Sequence, residues 1–161
     1  MDELVVGQNM DAYEKLRPFT DIERCECASI SGLLLVYLFT RNPIHCATCR
    51  KDVDPERLGL SASEVDEIAG CFSVYGSLYK LWLDSGEYES FAKEKLMDPH
   101  GQVNCAGMKV AKRLSAKWPS YYWWFYDTDD GKPAHCPSCR GVLDEKVRWG
   151  TGKCDQCCVV V

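Results

Sequence analysis

No stretch of this sequence stays apolar long enough to cross a bilayer: the longest run, Leu33 to Phe39, falls far short of the roughly 20 residues a spanning helix needs. Residues Met1 to Met10 hold Asp2 and Glu3 and no Lys or Arg. The charged start and apolar stretch of a secretory signal are therefore missing, and a cytoplasmic location with no membrane association is expected. Catalytic signatures are equally scarce. The chain has no H-E-x-x-H, no G-x-x-x-x-G-K-[ST], no G-x-G-x-x-G and no G-x-S-x-G, which removes the motif-based zinc-protease, P-loop, dinucleotide and serine-hydrolase readings. There are three histidines, His45, His100 and His135, and two of them abut cysteine pairs. None begins the H-x-E of a zinc deaminase. So little acid/base equipment points away from an enzyme.

What the chain has in abundance is cysteine, eleven in 161 residues. The count is odd, no signal precedes it, and the spacings suit metal better than a disulfide framework. Cys136-x2-Cys139 and Cys154-x2-Cys157 are separated by fourteen residues carrying Gly141, Gly150 and Gly152. A C-x-x-C turn offers two thiolates from one tight knuckle, and two knuckles complete the tetrahedron Zn²⁺ prefers. This is the layout of a zinc ribbon, with Cys136, Cys139, Cys154 and Cys157 as ligands and Cys158 as a substitute for Cys157. A closed shell of that kind leaves no position for water, so it organises backbone and does no chemistry. The segment Lys132 to Lys153 is also too polar to bury four free thiols.

The frame His-Cys-Ala-Thr-Cys-Arg at 45–50 returns as His-Cys-Pro-Ser-Cys-Arg at 135–140. Each follows an apolar strand and a turn, which suggests one knuckle geometry used twice. Cys46 and Cys49 have no obvious second knuckle. Cys25-Glu26-Cys27 upstream offers two thiolates and His45 an imidazole; the opposing reading has Cys25 and Cys27 flank a strand without ligating anything. A redox pair at Cys46 and Cys49 would need a helix to start behind it, and Lys51 to Pro55 starts one poorly.

Around these motifs the pattern is mixed. Leu33 to Phe39 reads as a buried strand ended by Asn42-Pro43, and Leu4-Val5-Val6 as a weaker one, with a short helix near Asp11 to Leu16. Ser61-Ala62-Ser63-Glu64 has capping-box spacing ahead of Val65, Ile68, Phe72, Tyr75, Tyr79 and Trp82 at helical intervals, predicting the longest helix, to about Gly86. Two more helices follow, one holding Tyr88, Phe91, Ala92 and Leu96, the other from about Val103 to Trp118 before Pro119. Tyr121 to Tyr126 reads as a strand with Tyr121, Trp123 and Phe125 on one face and Tyr122, Trp124 and Tyr126 on the other. The expected fold is α+β: a helical middle packed on a small sheet over 1–130, with a zinc ribbon at 131–161.

Charge divides the chain. Residues 1–100 carry ten Lys/Arg against eighteen Asp/Glu, a net −8, and 101–161 carry nine against six, a net +3, which together make the overall −5. An acidic body repels phosphate and attracts basic protein surfaces. Small acidic inhibitors such as immunity proteins match in size and charge, so a basic protein partner is the leading expectation. The competing one is nucleic acid, met by the cations Lys109, Lys112, Arg113 and Lys117 of the third helix with the aromatic run beside them; the plainer reading makes those cations a solvated helix face.

Several short segments occur in a known order: Asn42-Pro43-Ile44-His45-Cys46-Ala47-Thr48-Cys49, Gly101 to Met108, Pro119 to Tyr126, Cys136-Pro137-Ser138-Cys139 and Lys153-Cys154-Asp155-Gln156-Cys157. On these, residues 30–161 resemble a bacterial family of zinc-ribbon-containing, nucleic-acid-binding-type proteins of unknown function. The resemblance implies ligation by Cys136, Cys139, Cys154 and Cys157 and a paired role for Cys46 and Cys49. Two positions depart from the family pattern. A glycine follows the knuckle there, where this chain has Arg140 before Gly141, and an arginine follows the last ligand, where this chain has Cys158. Loss of that arginine weakens the phosphate-binding side of the resemblance.

Overall fold

Ser61 starts the longest element as its spacing predicts. In the computed structural model, which describes residues 12–17, 22–145 and 152–161, the Ser61 hydroxyl accepts from the Glu64 N–H at 3.2 Å and the Ser61 N–H donates to Glu64 Oε2 at 2.7 Å. Two orphan donors of the first turn are thereby satisfied. Helix α2, Ala62–Asp84, buries Val65, Ile68, Phe72 and Tyr75 along one stripe. It is preceded by the single turn α1, Pro55–Leu58, whose Pro lies in the first helical turn, where a missing N–H costs nothing. Helices α3, Glu89–Met97, and α4, Gln102–Leu114, follow. The helix expected near Asp11 to Leu16 is a 3-10 turn at Ala12–Leu16, and the strand expected at Leu4-Val5-Val6 lies outside the described residues.

The sheet has five short strands: β1 Leu33–Leu35, β2 Ile44–Cys46, β3 Ser120–Trp123, β4 Lys153–Cys154 and β5 Val159–Val160. Their spatial order is β2-β1-β3-β5-β4, with β1, β3 and β5 parallel at the centre and β2 and β4 antiparallel at the edges. The fold is α+β, as the alternation of patterns indicated. Segment 131–161, read as a ribbon of its own, supplies two strands to this shared sheet.

Both apolar runs make shorter strands than expected. β1 stops at Leu35, and the chain turns through Phe39, whose φ is 60°. β3 stops at Trp123; alternation holds as far as Tyr122 and Trp124, both buried, then fails at Phe125, which turns inward against Trp82 with ring centroids 4.9 Å apart. Leu33, Leu35, Ile44, Tyr122 and Val159 meet Val65, Ile68, Phe72, Val110 and Leu114 in one core. Close approach of α4 to β3 depends on Gly107, where a Cβ would fall 2.3 Å from the Tyr122 ring.

Candidate metal centres

The hairpin β1–β2 delivers the first knuckle. Cys46 ends β2; its N–H donates to Lys51 O at 2.9 Å, and the Arg50 N–H returns to Cys46 O at 2.8 Å. The second knuckle repeats this: Cys136 N–H to Gly141 O at 2.9 Å and Arg140 N–H to Cys136 O at 2.9 Å. Arg50 and Arg140 both close their turns in the left-handed region, with φ of 63° and 64°, and Cys158 closes the third C-x-x-C with φ 56°. The recurring H-C-x-x-C-R frame is thus one backbone geometry used twice. A side chain is strained at both arginine positions.

The eight cysteines of these segments gather into two groups, Cys25, Cys27, Cys46 and Cys49, and Cys136, Cys139, Cys154 and Cys157, with the sulfurs of each group within 4.8 Å of one another. Cys46 Sγ stands 4.0 Å from Cys27 Sγ, and Cys139 Sγ 3.7 Å from Cys154 Sγ. A tetrahedron with metal–sulfur bonds of about 2.3 Å has sulfur–sulfur edges of roughly 3.8 Å, and a disulfide would need about 2.05 Å. The spacing fits a metal shell. Two cysteines of each group are buried and two half-covered or exposed, so no ligand position faces open water on all sides.

Of the ligands left open upstream, the structure brings Cys25 and Cys27 to the first group and leaves His45 out. His45 is buried with Nε2 2.8 Å from Asp52 Oδ1 and Nδ1 3.1 Å from Pro43 O. Both ring nitrogens face acceptors, so neither turns a lone pair to the sulfurs. Cys158 is likewise outside the second group, its sulfur near Ser115 Oγ at 3.7 Å and Asp155 O at 3.8 Å.

One residue that spacing does not reveal holds the first group together. Arg57, on the single turn α1, donates to Cys25 O at 2.6 Å and to Cys27 O at 2.5 Å. The Cys25 N–H donates to Asp52 O at 2.7 Å. These bonds pin a C-x-C segment beside a knuckle from which it is separated by two strands.

The electrostatics of the groups are those of thiols crowded together. The Gly141 N–H at Cys139 Sγ, 3.4 Å away, and the neighbouring thiols lower Cys139 to about 7, while burial raises Cys136, Cys154 and Cys157. In the first group burial opposes ionisation of Cys25, but the Cys27 N–H and the surrounding thiols bring it to about 7. Cys27, sharing protons with Cys25 and Cys49, is pushed up to about 12, and burial raises Cys49. Crowded thiols cannot all ionise beside one another; a dication removes that repulsion and lets every sulfur serve as thiolate.

Two surfaces lie away from the sulfurs. The cations expected on one helix are partly engaged: α4 ends at Leu114, short of Lys117, which lies 5.8 Å over the Trp118 ring; Arg113 pairs with Glu67 of α2, and Lys109 lies 4.0 Å from the same carboxylate. The turn between α2 and α3 is different in kind. Leu83, Tyr88 and Phe91 are 50%, 52% and 52% exposed, among Asp84, Glu87 and Glu89, with the Lys95 cation 5.7 Å over the Phe91 ring. Among the described residues no helix is long and apolar enough to cross a membrane. In comparisons with known proteins, no family model, no curated protein and no solved structure matches this chain.

Proposed function

We propose that this chain is a non-enzymatic, zinc-stapled protein that acts by binding a basic protein partner, in the manner of an inhibitor or immunity-type protein. All-thiolate tetrahedral groups of this size suit Zn²⁺, and with four protein ligands each the ions would be structural. Cys25, Cys27, Cys46 and Cys49 would hold one, and Cys136, Cys139, Cys154 and Cys157 the other. The same order of motifs supports kinship with the zinc-ribbon family it resembles.

The observation that carries the binding role is the α2–α3 turn. Three large apolar side chains, each half exposed within nine residues of sequence, sit among three carboxylates. Aromatic anchors of this kind dominate interface energies when a partner buries them, and the surrounding charge speeds encounter with a basic surface. The competing nucleic-acid reading through Lys109, Lys112, Arg113 and Lys117 is weaker, because Glu67 neutralises part of that face.

Affinity capture from the protein's own host, with native mass spectrometry of what is retained, tests both parts. Two zinc ions per chain and a basic protein whose retention falls with salt are expected. Reversing charge at Asp84, Glu87 and Glu89 should weaken that binding by tenfold or more, the scale of one lost hot spot, while Lys112→Glu leaves it unchanged. Retention indifferent to the three reversals, or retention of nucleic acid alone, would sink the reading.

A further inference from the structure

Away from both metal centres a cleft of about 740 Å³ opens between α2, the segment that follows β1 and the 3-10 turn at Ala12–Leu16. That volume is typical of a small-molecule site. Lys15, Arg41 and Lys80 line it, and among the described residues no carboxylate does, in a chain whose first hundred residues carry a net −8. Lys15 is paired with Asp66 outside the lining, Arg41 is itself engaged, and Lys80 makes no ion pair among the described residues. Such a local reversal of sign concentrates anions.

One wall is aromatic. The Tyr37 ring lies against Gly76 of α2, where a Cβ would meet it at 2.7 Å. Tyr37, Phe39 and Tyr79 contact one another with centroids 5.4 to 5.5 Å apart. Phe39 stands at the edge of this trio, 60% exposed and with φ 60°. A bulky ring held toward water in the left-handed region is unfavourable on both counts, the kind of feature that collects at binding sites. The helical wall adds the hydroxyls of Ser73 and Ser77.

Cations beside exposed aromatic rings select a ligand that carries an anion and a flat ring together. We propose that this cleft binds a free nucleoside phosphate, its base against Phe39 and Tyr37 and its phosphate met by Lys80. A nucleic-acid strand suits the site less well, because the net −8 of the first hundred residues repels phosphates that run on beyond the cleft. This site is independent of the partner surface at the α2–α3 turn, and either can fail alone.

Titration calorimetry of the zinc-loaded full chain with AMP decides it, with adenosine, ribose phosphate and a single-stranded oligonucleotide as comparisons. AMP should bind saturably, and adenosine or ribose phosphate about tenfold or more weakly, since each lacks one half of the contacts. Lys80→Glu and Phe39→Ala should each weaken AMP by about tenfold with an unchanged circular dichroism spectrum, both residues being exposed; Lys112→Glu should have no effect. No saturable binding at millimolar AMP, AMP binding indifferent to Lys80→Glu, or an oligonucleotide bound tenfold more tightly than AMP, overturns the assignment.

Discussion

Tyr122 joins three elements through one phenol. Its hydroxyl donates to Asn104 Oδ1 at 2.8 Å, and the Asn104 amide donates to Leu96 O at 2.9 Å and Asp98 O at 2.8 Å, closing the end of α3 against α4 and β3. Tyr122→Phe strands a buried acceptor, so a loss of about 1–3 kcal/mol is expected in urea unfolding of the metal-loaded protein; an unmoved midpoint would show that the network carries no stability. The same burial raises the phenols of Tyr122 and Tyr75 above their ordinary 10. A folded-state value above the unfolded one means the neutral phenol is favoured. Their contribution is complete below pH 10 and is lost as pH rises toward the folded values, so unfolding at high pH should coincide with their ionisation. Stability of Tyr122→Phe should fall less steeply above pH 10. Alternation in the sequence puts Tyr122 on the face opposite Tyr121 and Trp123 without saying which face is inward. Nothing in it shows that Asn104, one polar residue on a helix face, is its partner.

At the scale of elements, knuckles and helix starts are legible because short spacings determine them. The capping box at Ser61 and the repeated H-C-x-x-C-R frame involve partners within five residues, and the structure has both where the sequence indicates. The C-x-C half of the first group is another matter. Cys25 and Cys27 reach Cys46 and Cys49 across β1 and β2, and Arg57, which anchors their carbonyls, follows by thirty residues or more; no spacing rule connects them. Outer contacts of this kind commonly change metal affinity by about 10–100-fold. Arg57→Ala should therefore weaken the first centre by that order in chelator competition and leave the second unaltered. Equal loosening of both centres would make Arg57 a general packing residue.

Across the whole molecule, the two cysteine groups mark opposite edges of one sheet, with Cys46 on β2 and Cys154 on β4. The parallel centre is invisible in the sequence, since β1, β3 and β5 are brought together by tertiary packing and each is only two to four residues long. Helical periodicity in the middle of the chain, by contrast, indicated α2, α3 and α4, though not the single turn α1. Because the amides of Tyr122 and Trp124 donate to Cys158 O at 2.7 Å and Val160 O at 2.8 Å, damage to the second centre should propagate into the sheet. Cys154→Ser is expected to raise hydrogen exchange at those two amides along with the knuckle itself; protection confined to its wild-type level there would mean the ribbon folds apart from the rest. The insertion of β5 between β3 and β4 has a further consequence for a cell. Whenever metal is scarce and the last hairpin stays undocked, β3 is left as a bare margin of Ser120-Tyr121-Tyr122-Trp123, an aromatic strand with unclaimed backbone groups. Such margins recruit one another, so loss of metal from the second group would leave this chain open to clumping and proteolytic clearance.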